Sequence, residues 1–157
     1  MLVFSKRMKS CQIAEAKTAD IPALALLLEQ LFTLESDFQV DSGKQSNGLR
    51  LIIENPELGC IFVLRSGEQI IGMVNALRTI STAEGAPVLL LEDVIVVDTY
   101  RGQGLGAMLV RHVLKWASER GILRVTLLAD RGNGPALRFY EKIGFRESAM
   151  KVYRYFP

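Results

Sequence analysis

Two adjacent acids, Glu92 and Asp93, stand inside an otherwise apolar stretch, VLLLEDVIVV, at residues 88–97. A carboxylate there can take a proton or hold a cation, because burial and neighbouring charges set its basicity. On a regular strand the two face opposite sides, so only one looks into a given cleft unless a bulge intervenes. Next come Asp98-Thr99-Tyr100 and then Arg101-Gly102-Gln103-Gly104-Leu105-Gly106, ahead of residues with helical period. A strand feeding a glycine turn and a helix start presents backbone N–H groups with no intrahelical carbonyl, a ready anion site. Glycines at 102, 104 and 106 are a poor choice for a helix start alone, since each weakens a helix by about 1 kcal/mol against alanine. No Gly-Lys-Ser/Thr follows, so the turn is not a Walker P-loop. Gly102, Gly104 and Ala107 do match the dinucleotide pattern G-x-G-x-x-A, and Asp130 lies near the place of a ribose-binding acid. Against that reading, the turn follows hairpin signals instead of opening the domain, and a doubly wound sheet needs about twice as many crossovers. His112, the sole histidine, falls on the polar side of the predicted helix, which leaves no triad to build. Cys11 and Cys60 have neither CxxC nor metal spacing, so no metal site is expected and both read as small hydrophobes.

Composition sets the frame for these groups. The chain has 157 residues, 49% hydrophobic and 23% charged, with 19 basic against 17 acidic residues and a net charge of +2. This predicts one globular domain over 1–157, with no need of disulfides. The charge balance gives no reason to expect nucleic acid or a membrane surface as partner. No apolar run approaches the roughly 18 residues of a span, and basic residues follow the first apolar ones too soon for a signal peptide, so cytoplasm is the default.

The elements that must position the acids and the turn follow from periodicity. Residues 11–16 read as a short strand. Thr18 or Asp20 can cap a helix with Pro22 in its first turn and an apolar face of Ile21, Leu24, Leu27, Leu28, Leu31 and Phe32. Residues 34–48 read as a loop or irregular helix, and 49–54 as a helix stopped before Pro56. Strands at 59–64 and 69–78 form a hairpin about Ser66-Gly67. The strand at 88–97 is apolar enough to be covered on both faces. A helix at 104–120 is closed by Gly121, a buried strand spans 122–129, a short helix runs from Asn133 to Gly144, and a last strand occupies 145–155. This order predicts an α/β chain, a mixed sheet with helices on both faces.

Arg101-x-x-Gly104-x-Gly106 resembles the R/Q-x-x-G-x-G/A motif of the GNAT superfamily of N-acetyltransferases. Asn133 with the run Ala136-Leu137-Arg138-Phe139-Tyr140-Glu141-Lys142-Ile143-Gly144-Phe145 resembles its second cofactor segment, N-x-x-A-x-x-F-Y-x-x-x-G-F, at the family's separation. Thr18-Ala19-Asp20-Ile21-Pro22 is similar to its first helix start. The motifs are specific over 88–145, and residues 35–58 match nothing named. The resemblance implies a central, mixed, largely antiparallel sheet with one parallel splayed pair, a cofactor core at about 88–145 and an acceptor side at about 20–58.

It further implies acetyl-CoA as cosubstrate, without a metal, and direct acetyl transfer to an amine in a ternary complex. The amides of Arg101, Gly102, Gln103, Gly104, Leu105, Gly106 and Ala107 would hold the pyrophosphate. Val94, Ile95 and Val96 would run beside the pantetheine arm, with Asn133, Ala136 and Tyr140 also at the cofactor. Likeness to polyamine-type members makes Glu92 the expected base, through a water, with Asp93 binding substrate or supporting the turn. Tyr140 matches the family's general acid for the departing thiolate, and as a weaker acid than that thiol it is expected to hydrogen-bond the leaving sulfur. Glu35 and Asp37, with Asp41 nearby, are candidate acceptor-side acids for a small amine, a polyamine or a lysine, or else a solvated loop. A homodimer is common in the family, and residues 151–155 alternate enough to pair across an interface. The rival readings are a non-catalytic acyl-CoA sensor and the dinucleotide-binding domain.

Overall fold

The computed structural model describes residues 10–35 and 39–157. In chain order the elements are β1 (Cys11–Glu15), α1 (Ile21–Leu34), α2 (Ser42–Glu54), β2 (Gly59–Ser66), β3 (Gln69–Ser81), β4 (Ala86–Val96), α3 (Leu105–Glu119), β5 (Val125–Leu127) and α4 (Gly134–Ile143). The strands form one sheet in the order β1-β2-β3-β4-β5. Each neighbouring pair is antiparallel except β4 and β5, which are parallel. That single parallel pair is the mixed sheet expected from the sequence, and it excludes a doubly wound dinucleotide fold.

Both sheet faces are covered, which is why β4 reads as nearly continuous apolar sequence. On one face Leu109, Val110, Val113 and Ala117 of α3 pack on Phe62, Leu64, Val74, Leu89 and Leu91. On the other, Ile21, Leu24, Leu27 and Leu28 of α1 and Leu49 of α2 pack on Ile61, Val63, Met73 and Ile95. The start of α1 is tied to the sheet by Asp20, which accepts from the Lys17 amide (2.9 Å) and from Arg65 Nη2 of β2 (2.7 Å). Burial pushes the Asp20 carboxyl up, but those two bonds and the Arg65 and Lys17 charges outweigh it and leave it below its ordinary value.

The structure corrects the sequence reading in four places. Helix α2 begins at Ser42, not at residue 49: its first turns, SGKQSNG, are weakened by two glycines and lack apolar period, but Asp41 caps the Lys44 amide (3.1 Å) and Gln45 is buried. Strand β5 is three residues long and only half buried, not a buried strand over 122–129. Residues 145–157 form no strand: the alternation is present, but Met150, Tyr153, Tyr155 and Phe156 are exposed and pair with no sheet edge. His112 is not on a solvated face: it is half buried, its ring edge-on to Phe62 with centroids 4.9 Å apart.

Candidate functional site

The parallel pair separates almost as soon as it forms. Its register runs from Leu89↔Val125 to Leu91↔Leu127 and stops, while β4 continues to Val96. The gap beside Val94, Ile95 and Val96 is a cleft of ≈ 440 Å³, floored by the turn after β4 and walled by Phe139 and Tyr140 of α4. All of the residues expected at a cofactor line it except Gln103 and Asn133, and Tyr100 and Phe139 line it as well. A second depression, of ≈ 390 Å³, lies between the end of α3 and residues 143–146 and holds none of the candidate groups.

The turn has its shape because of its glycines. Gly102 and Gly104 take φ of 74° and 75°, a left-handed conformation that costs other residues about 1–2 kcal/mol. Gly106 keeps the cleft floor open: a Cβ there would meet Phe139 Cζ at 3.4 Å. Met108 N donates to Gly104 O (3.0 Å), and the amides from Gly102 to Ala107 have no carbonyl partner among the described residues. Arg101 braces the turn, with Nε donating to Val96 O (2.9 Å) and Nη1 paired with Asp98 Oδ1 (2.6 Å). Asn133 is a helix cap, its Oδ1 accepting from the Ala136 amide (3.1 Å).

The two acids are brought to one face by a bulge. Asn75 pairs with Glu92 and Met73 with Ile95, so Val74 alone opposes both Asp93 and Val94. Asp93 absorbs the extra residue at φ 52°, the sole non-glycine with positive φ among the described residues. Directly opposed residues share a face, so Asn75 and Glu92 do. Asn75 Nδ2 donates to Asp93 Oδ2, which brings Asp93 to that same face, the one α1 covers. Burial, then the charges of Glu92 and Glu35, push the Asp93 carboxyl up to about 7, against the lowering effect of the Asn75 bond.

Glu35 directly follows α1, and its charge is also felt at Tyr140, whose hydroxyl is pushed up to about 12 by burial first and Glu35 second. Tyr140 is wedged edge-on between Phe139 (5.0 Å between centroids) and Phe145 (5.8 Å). Asp41 is spent on capping α2, and Asp37 lies outside the described residues. Sequence reasoning missed Asn75. The available signal was a single amide within the apolar run IIGMVNAL, where a buried polar side chain needs a partner.

A splayed parallel pair, a turn of free amides and acids beside the splay define the GNAT class of fold and site. The sequence profile of the acetyltransferase (GNAT) family matches residues 26–145, and the chain belongs to this family of acyltransferases. It is 30% identical over 144 residues to the uncharacterized N-acetyltransferase YhfO of Bacillus subtilis (strain 168), covering 90% of this chain and 93% of that one. N-acetyltransferase family 8 member 2 of Rattus norvegicus is 33% identical over 90 residues, 57% of this chain and 40% of that protein. The chain thus matches about 40% of the length of such mammalian relatives. Among solved structures, a possible acetyltransferase from Clostridium difficile 630 superposes with a TM-score of 0.85 at 18% identity, covering 94% of this chain and 97% of that one. The aminoglycoside N-acetyltransferase AAC(6')-Iy, in complex with CoA, gives 0.81 at 17% identity and 98% of both chains. At these identities the structures show a shared fold.

Proposed function

We propose that this chain transfers acetyl from acetyl-CoA directly to a cationic primary amine, with Asp93 as the proton acceptor. The observation that carries the reading is the cleft itself, lined by the free turn amides, with Glu92 and Asp93 not in its lining but directly before Val94, the first lining residue of β4. The CoA in the complex of the aminoglycoside enzyme of similar fold supports acetyl-CoA as cosubstrate. So do the residues present. Each charge-assisted bond from a turn amide to a phosphate is worth roughly 1.5–3 kcal/mol, and the N-terminus of α3 adds about 0.3–2. Acetyl-CoA supplies an activated thioester, and the chain supplies position and proton handling.

An alkylammonium near pKa 10.4 costs about 4–5 kcal/mol to deprotonate at pH 7. Glu92 and Glu35 attract the cation. Asp93, raised to about 7, is the member of the acid group poised to take the proton, directly or through one water. The amine lone pair then forms the N–C bond as the C–S bond breaks and the sulfur leaves with the electron pair, and the second proton of the acylated nitrogen passes to the departing thiolate, which is released as the thiol. Tyr140, at about 12, is a weaker acid than a thiol near 8.5, so it steadies the thiolate by a hydrogen bond and keeps its own proton. Relative to the expectation from the resemblance, this reading exchanges the roles of Glu92 and Asp93, because Asp93 is the acid that the bulge sets against Asn75 and that Glu92 and Glu35 raise.

The test is CoA thiol release from acetyl-CoA with spermidine, a lysine peptide and an aminoglycoside as acceptors. Asp93→Asn should lower kcat by about 10²-fold or more and abolish an acidic limb near pH 7. Glu92→Gln should chiefly raise KM and move that limb to lower pH, since its charge raises Asp93. Loss of kcat in Glu92→Gln with Asp93→Asn active would return the base to Glu92. Tight acetyl-CoA binding with no turnover on any amine would favour an acyl-CoA sensor.

A further inference from the structure

We propose that Asn75 is a positioning residue for this reaction, its amide holding the Asp93 carboxylate at the bulge so that Asp93 is ionised and facing the amine. The inference rests on Asp93 being the proton acceptor. Asn75 lies on the central strand β3, 3% exposed, directly opposite Glu92. Its Nδ2 donates to Asp93 Oδ2, while its Oδ1 is buried with no partner among the described residues. Half of this amide is therefore buried unsatisfied, a cost that an apolar side chain would not carry. A purely structural role does not account for an amide here. Its one bond ends on a carboxylate whose own backbone, at φ 52°, is held in a conformation uncommon outside glycine. Two chain segments that only the β3–β4 register brings together are thus joined at the group that must lose and regain a proton.

The bond has a direction that distinguishes it from every other influence on Asp93. Among the described residues, Glu92 on the same strand and Glu35 at the end of α1 both raise Asp93, and Tyr140 of α4 feels the same Glu35 charge. Asn75 alone lowers it, because a donated hydrogen bond favours the carboxylate. Removing Asn75 should move Asp93 up in pH, and removing either glutamate should move it down.

The experiment follows the Asp93 carboxyl directly by carbon-13 NMR titration of protein labelled at aspartate carboxyls, with Asp93→Asn identifying the resonance. In Asn75→Leu the midpoint should rise by about one pH unit, and the melting temperature at pH 8 should fall by no more than the roughly 3–5 °C that this shift accounts for. The acidic limb of kcat should rise with it, and the Asn75→Leu/Asp93→Asn double variant should turn over no more slowly than Asp93→Asn alone. Asn75→Ala serves if the leucine variant fails to fold, with the same direction expected. An unmoved midpoint, or a fall in melting temperature with no shift, overturns the positioning role. Failure of the underlying reading is separate, and shows as an Asp93→Asn enzyme with undiminished turnover.

Discussion

Burial and two neighbouring acids set the Asp93 carboxyl more than its own type does. Glu35 acts on two groups at once, raising both Asp93 and Tyr140. Glu35→Gln should therefore move the acidic limb of the pH–rate profile to lower pH, as a profile taken from pH 5 to 9 would show. The sign follows from the cause: a lost negative neighbour makes the ionised carboxylate easier to form. Tyr140→Phe keeps the ring between Phe139 and Phe145 and removes only the hydroxyl. Turnover should fall by about tenfold, the worth of one hydrogen bond, with KM for acetyl-CoA little changed. A loss of several thousandfold would mean that Tyr140 transfers its proton.

At the level of elements, the bulge near the end of β4 and the turn that follows it lie on one continuous stretch of chain beside the cleft. Gly104 has open space where a Cβ would stand, so Gly104→Ala tests backbone strain alone. It should cost about 1 kcal/mol, a fall in Tm of roughly 2–4 °C. Gly106→Val instead puts branches against Phe139 and over the amides of the turn. It should weaken acetyl-CoA binding by about 10- to 100-fold by calorimetry, the loss of one charge-assisted bond. Farther away, Asp20 ties α1 to β2. Asp20→Ala should cost about 2 kcal/mol, or roughly 4–8 °C. Because the folded Asp20 carboxyl lies below its ordinary value, its contribution is present above the unfolded value near 3.9 and is lost as pH falls through the folded one. The variant and the wild type should therefore converge in stability under acid.

For the molecule as a whole, the cleft is a gap between strands, and a ligand filling it bridges β4, α3 and α4. A ligand bound to the folded state alone adds about 2.7 kcal/mol at 100 times its Kd. Acetyl-CoA at that excess should raise Tm by roughly 5–10 °C, measurable by a thermal melt, and NAD should leave it unmoved. No helix among the described residues is long and apolar enough to cross a membrane. The exposed aromatics Tyr153, Tyr155 and Phe156 do not line the cleft.

What the sequence determined by itself is what neighbouring residues decide among themselves. The glycine turn, the apolar strand before it, the amphipathic helix after it and the Asn133 cap all rest on backbone conformation, caps and periodicity within a few residues. All were legible, as was the mixed sheet, since hairpins followed by one crossover leave few arrangements. The tertiary structure decided whatever depends on distant partners. The start of α2 needed a buried Gln45, and alternation in residues 151–155 could not make a strand without an edge to join. His112 found Phe62 across the α3 face. The acid pair shows the reason most plainly. The sequence places Glu92 and Asp93 side by side, and strand parity alone would separate them. Only the register of β3, which sets Val74 against two residues and Asn75 beside Asp93, puts both carboxylates on one face, where burial and the Glu92 and Glu35 charges push Asp93 up.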